Sequence, residues 1–155
     1  MLSYPSIAQI LEETDFELLL AGKDSLGNKV SKTIVGAMEP HDAIPYIVDD
    51  SLLITPGDRE DMILAVVGFQ MDRKAAGVKI AGIVLSGGIK PHKTVIDLVQ
   101  RAEIPLLLAK GDTYSVASRV HDLTVKIQPE DSQKTKVIRD MIEEYVDIGK
   151  LLREL

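Results

Sequence analysis

Three short loops concentrate the chemically capable residues of this chain: Pro56-Gly57-Asp58-Arg59-Glu60-Asp61, Ser86-Gly87-Gly88 and Lys110-Gly111-Asp112-Thr113. Each puts glycine directly after an apolar run, where backbone must turn sharply or approach a ligand closely. An arginine among these loops suits a bidentate clamp on a carboxylate or phosphate. Helix N-termini following the loops offer free N–H groups of the kind that hold phosphate. The candidate ligand-binding residues are therefore Gly57, Asp58, Arg59, Ser86, Gly87, Gly88, Asp112 and Thr113.

Each charged member also has a structural reading. Asp58 falls at the expected N-cap of one helix and Asp112 just before the helix opened by Thr113, so both carboxylates can satisfy the N–H groups a phosphate would need. Asp58 and Asp61 together read more easily as a complement to a helix dipole than as a metal clamp. Arg59, in a first helical turn, opposes the dipole at a cost of a few tenths to about 1 kcal/mol. Either an ion pair with Asp112 or Asp58 across the loops, or a bound anion, would offset that cost.

Familiar catalytic patterns are missing. Ser86 is not a hydrolase elbow, because Val84 stands where G-x-S-x-G needs glycine. There is no G-x-G-x-x-G, no phosphate-binding G-x-x-x-x-G-K-[ST], and no H-E-x-x-H. His41, His92 and His121 are scattered and read as solvated or capping groups. The 155 residues include no cysteine, which excludes thiol nucleophiles, iron–sulfur ligation and cysteine-based zinc sites. No catalytic residue, metal or cofactor is assigned. Eighteen basic against twenty-four acidic residues give a net charge of −6, which argues against nucleic acid. Four Tyr, two Phe and no Trp make a base-stacking platform equally unpromising.

The elements that must position these loops follow from apolar patterning. Ser6 can cap a short helix bearing Ile7, Ile10 and Leu11, with a strand from Phe16 to Leu20 and a second from Val30 to Val35. Residues 39 to 48 suggest a short helix broken by Pro40 and Pro45. From Ser51 the pattern sharpens. Leu52-Leu53-Ile54 reads as a strand buried on both faces, followed by a helix with Met62, Ile63, Val66, Val67 and Gln70 on one stripe, ended by Gly77. Ile80–Leu85 then leads to a helix over 92–102, and Ile104–Leu108 to a helix over 113–122. Leu123 to Ile127 reads as a last, alternating strand at an edge. Strand and helix alternating with short glycine turns predict an α/β domain with a mostly parallel sheet, and the three turns gather on one rim, where ligands of such sheets bind.

Residues 1–130 are thus expected to form one domain and 131–155 a terminal helix. In that helix Ile138, Met141, Tyr145, Ile148, Leu152 and Leu155 repeat at coiled-coil spacing, which suits docking on its own sheet or on a second copy. No apolar run approaches a membrane span, and the first residues lack the pattern of a signal peptide, so a soluble cytoplasmic protein is expected.

At the rim loops the chain resembles the DRTGG domain family, named after its signature residues. Asp58-Arg59 matches the Asp-Arg pair, and Ser86-Gly87-Gly88 matches Thr-Gly-Gly with Ser in place of Thr. Gly111-Asp112-Thr113-Tyr114 with Ala117 resembles the third loop, and Gly36-Ala37-Met38 the pattern before the first core strand. The similarity runs over residues 30 to 127, with the flanks looser. It implies a three-layer α/β/α fold similar to the N-terminal domain of the HPr kinase/phosphorylase. It further implies a setting in long phosphate acetyltransferases or between CBS modules of regulated pyrophosphatases, and a role in dimerisation and in regulation by nucleotides or metabolites.

Three functional expectations result. The first is a non-catalytic regulatory and oligomerisation module, a homodimer that senses an adenine nucleotide or phosphorylated metabolite at a rim pocket lined by Arg59, Ser86 and Thr113. The second is a small enzyme acting on a phosphate or acyl-phosphate compound, with Arg59 as clamp and Asp58 or Asp112 as base. The third is a structural fragment of a longer acetyltransferase whose rim packs on a neighbouring domain.

Overall fold

The apolar runs form the middle of a five-stranded sheet. The computed structural model describes residues 4–126. Its strands are β1 (Glu17–Leu20), β2 (Lys32–Val35), β3 (Ser51–Pro56), β4 (Ile80–Ser86) and β5 (Leu106–Leu108), in the spatial order β1-β5-β4-β3-β2. Strands β2 to β5 are parallel, and β1 joins β5 antiparallel. Register aligns the strand ends: Val35 lies opposite Ile54, Pro56 opposite Ser86, and Leu85 opposite Leu108. The expected rim therefore exists, and the antiparallel β1 begins at it, with Glu17 opposite Leu108.

Alternate side chains of the strands feed two cores. Leu53, Ile83, Leu85, Leu106 and Leu108 face one side, against α3 (Glu60–Arg73) and α4 (Lys93–Arg101). Leu52, Ile54, Val84 and Leu107 face the other, against α1 (Ile7–Glu13) and α5 (Thr113–Lys126). The short α2 (Pro40–Ala43) and the turn after it lie beside α3. Three layers result, as expected. Central strands buried on both sides explain why β3 and β4 are continuous apolar runs rather than alternating ones.

Local chemistry starts and stops the helices. Ser6 caps α1 with a full capping box: its hydroxyl accepts from Gln9 N–H at 3.2 Å, and the Gln9 side chain accepts from Ser6 N–H at 2.8 Å. A single turn of tighter helix over Lys74–Ala76 extends α3 to Gly77. The buried Gln70 earns its place on the inner stripe of α3 by accepting the Ile80 N–H at 2.7 Å, which ties helix to strand. Nothing among the described residues explains Gly68. It is exposed in mid-helix, a Cβ there would meet nothing within 4 Å, and alanine would gain about 1 kcal/mol of helix propensity.

The edge strand expected from Leu123 does not form; residues 123–126 are the last turn of α5. Their alternation of apolar and polar residues also continues a helical stripe, in which Val116, Val120 and Leu123 are buried at spacings of four and three. Packing of that stripe on the α1 side of the sheet decides the period. The terminal helix over 131–155 lies outside the described residues. Among the described residues no helix is long and apolar enough to cross a membrane.

Candidate functional site on the sheet rim

The three glycine loops meet where the parallel strands end, and backbone hydrogen bonds lock the second and third together. Gly87 donates to the Gly111 carbonyl and Gly88 to the Ala109 carbonyl, each at 2.8 Å. Both glycines adopt left-handed backbone, φ 76° and 65°, which side-chain-bearing residues avoid. Beneath them the buried Ser86 hydroxyl and the half-buried Thr113 hydroxyl share a hydrogen bond of 2.7 Å, joining the β4 and β5 loops through side chains.

Gly57 serves the same locking. It is buried, and a Cβ on it would fall 1.6 Å from the Ile89 carbonyl oxygen. The close approach that glycine permits here is therefore to the neighbouring loop. Glu60 continues the contact by accepting the His92 N–H at 2.8 Å. His92 in turn caps α4, its Nδ1 accepting from Thr94 N–H at 3.1 Å.

The acidic residues divide. Asp112 caps α5 as expected, accepting the Ser115 N–H at 2.8 Å and the Ser115 hydroxyl at 3.0 Å. These bonds, the backbone one foremost, hold its carboxyl below the ordinary 3.8. The stability that this cap contributes is present above that value and fades as pH falls through the lowered one. Asp58 does not cap α3. The N-cap position belongs to Arg59, which has no side-chain capping bond, and Asp58 is exposed one residue earlier. A sharp turn, with the Arg59 N–H bonded to the Pro56 carbonyl at 3.1 Å, delays the helix past Asp58.

Arg59 pairs with neither Asp58 nor Asp112. Its Nε and Nη2 bind the two Asp61 carboxylate oxygens at 3.0 and 3.2 Å, the fork geometry of a strong arginine pair. Nη1 donates to the Gly36 carbonyl at 3.2 Å and Nη2 to the Met38 carbonyl at 2.9 Å. The guanidinium thus fastens the segment leaving β2 to the start of α3. The bond to Arg59 is the main reason the Asp61 carboxyl sits below its ordinary value, and the same bond raises Arg59.

Of the eight expected residues, then, Gly57, Arg59 and Ser86 hold the loops from within or beneath, and Asp112 holds α5. Gly87 and Gly88 remain at the outer surface with the exposed Asp58, and the half-buried Thr113 is tied beneath them to Ser86. Position alone adds Tyr114, 82 % exposed in the first turn of α5, and the exposed Lys90 and Lys110 that flank the glycine loops. Composition hid Tyr114 because aromatic residues are scarce overall, not because this one is badly placed. Among the described residues no His, Asp and Glu cluster is arranged to hold a metal.

A groove of about 550 Å³ lies elsewhere, between the end of α1 and α5. Glu12, Glu13, Asp15 and Asp122 surround Arg119 there, and Arg119 is hydrogen-bonded to Asp15. That bond lowers the Asp15 carboxyl. Four carboxylates around one guanidinium make a poor seat for phosphate.

A family model of the DRTGG domain matches residues 9–123. The chain belongs to the DRTGG domain family. The match begins well before the loops that carry the signature and takes in most of α1 and all of β1. The chain is 30% identical over 136 residues to a phosphate acetyltransferase of Nitratidesulfovibrio vulgaris, covering 86% of this chain and 19% of that protein. A phosphate acetyltransferase of Synechocystis is 32% identical over 140 residues, covering 88% and 20%. The Pseudomonas putida one is 28% identical over 153 residues, covering 97% and 21%. The chain therefore spans about a fifth of the length of these relatives. In three dimensions it is similar to the CBS and DRTGG domains of the regulatory region of Clostridium perfringens pyrophosphatase, a structure complexed with its activator diadenosine tetraphosphate. The TM-score is 0.60 at 19% identity, over 74% of this chain and 45% of that one. DRTGG domains thus occur in phosphate acetyltransferases and in the regulatory region of a pyrophosphatase.

Proposed function

We propose that this DRTGG domain is a non-catalytic regulatory and oligomerisation module. Residues 1–130 form its body, it pairs as a homodimer, and its rim binds an adenine nucleotide or a phosphorylated metabolite. One observation carries the reading: the reactive side chains of the rim, the exposed Asp58 apart, are engaged in holding loops. Arg59 is committed to Asp61 and two carbonyls, Asp112 to Ser115, and Ser86 to Thr113. The bonds that fix Asp112 also lower its carboxyl, which makes it a weaker general base, and the Arg59 guanidinium is no base at all. A rigid rim with glycine backbone, two lysines and one exposed tyrosine suits recognition without turnover. The activator in the pyrophosphatase structure is a dinucleotide, which supports placing nucleotides first among ligands to test.

Thermal shifts with AMP, ADP, ATP, diadenosine polyphosphates, coenzyme A and acetyl phosphate test this. A ligand at 100 times its Kd adds about 2.7 kcal/mol, or roughly 5–10 °C for a chain of this length. At least one nucleotide is expected to give such a shift. Tyr114→Ala is expected to remove it while leaving the unliganded melting temperature in place, because that side chain is 82 % exposed. A panel with no shift overturns the sensing role.

A further inference from the structure

Among the described residues the outer face of α3 has no partner. Of the ten large apolar side chains exposed among the described residues, seven lie between the β2 edge of the sheet and this helix. Five of them fall from Val35 to Val48, and the other two are Leu64 and Met71, 41 % and 59 % exposed on α3. The short α2 and its following turn, which carry part of that set, rest against α3. A helix apolar on both its inner and outer faces is normally covered on both, and a contiguous exposed apolar patch marks an interaction surface.

Gly68 stands between Leu64 and Met71 on the same stripe, at spacings of four and three. Its exposed position, with open space around the absent Cβ, is what a close approach of another backbone requires. We infer that α3 packs against α3 of a second copy, antiparallel and crossing at Gly68. A two-fold axis there sets Leu64 of each chain beside Met71 of the other, the reciprocal contact of an isologous interface. It also brings the acidic first turn, Glu60 and Asp61, towards the basic end of the partner's helix, Arg73 and Lys74. This is a complementarity of helix ends, since within the chain Asp61 is held by Arg59, Glu60 by the His92 N–H and Lys74 by Glu103 at 3.7 Å. Asp72, on the exposed side of the helix, already has Arg73 as a counter-ion at 3.5 Å. The inference rests on the reading of the chain as an oligomerisation module and names the surface that performs it.

The absence of cysteine makes single-thiol cross-linking clean. In the full-length chain, Gly68→Cys is expected to form a disulfide-linked dimer under mild oxidation, roughly tenfold faster than Lys23→Cys in the loop after β1. Met71→Asp is expected to weaken dimerisation roughly tenfold or more by sedimentation, with an unchanged circular dichroism spectrum. A wild-type dimer in which both thiols cross-link equally overturns the surface but leaves oligomerisation standing. A wild-type monomer overturns both. If the thiol introduced at position 68 resists labelling in that monomer, the chain's own segment 131–155 covers the stripe instead.

Discussion

Gly57→Ala is expected to lower the unfolding free energy by about 3 kcal/mol or more, the upper end of overpacking costs. A melting temperature lower by about 6–12 °C would follow for a chain of this size. The new methyl would lie 1.6 Å from the Ile89 carbonyl oxygen, far inside contact distance. The Cβ position is fixed by its own backbone and the Ile89 oxygen is backbone, so no rotamer change relieves the clash. The two loops must separate, and the Glu60 to His92 bond across them goes with the contact. Chemical denaturation of wild type and variant measures the difference. A loss below about 1 kcal/mol would show that the loops separate easily, contrary to the locked rim described above.

Arg59→Ala has the next largest expected effect. It removes two hydrogen bonds to carbonyls and a two-point pair with Asp61. The side chain is 29 % exposed and Asp61 half exposed. Water therefore replaces part of the loss, and about 1–2 kcal/mol is expected rather than the full sum of four charged bonds. Arg59→Lys should recover less than half, since one ammonium cannot reproduce a planar fork reaching three partners. Hydrogen exchange locates the effect: amides of residues 36–39 and of the first turn of α3 should exchange faster, and those of α5 should not. A variant with wild-type stability and unchanged exchange at 36–39 would refute the loop-fastening role.

The parts of this architecture that can be read from sequence are those with a local cause. Leu52-Leu53-Ile54 and Ile80–Leu85 announce themselves as doubly buried strands, and the glycine turns after them place the rim. Ser6 and Asp112 stand at their caps because capping needs only a side chain and its own next turn. The start of α3 was not legible: Asp58 has the right chemistry for an N-cap, but the turn closing on the Pro56 carbonyl moves the boundary to Arg59. The partners of Arg59 were equally hidden. Two are backbone carbonyls more than twenty residues away, and a carbonyl leaves no mark in a sequence. At Gly57 the requirement for glycine was visible, whereas its reason, the Ile89 backbone, emerges only when the loops are placed together. Leu123 to Lys126 fit two periods at once, and tertiary packing chose the helical one.

The central claim is that the rim recognises a phosphorylated ligand without transforming it. Phosphorus-31 spectra of diadenosine tetraphosphate and of acetyl phosphate, each incubated with stoichiometric protein over hours, test both halves in one sample. The account predicts broadened or shifted resonances for at least one compound, reversed by Tyr114→Ala, and no phosphorus species beyond those of a protein-free control. Protein-dependent product resonances abolished by substitution of Asp58 or Arg59 would contradict it.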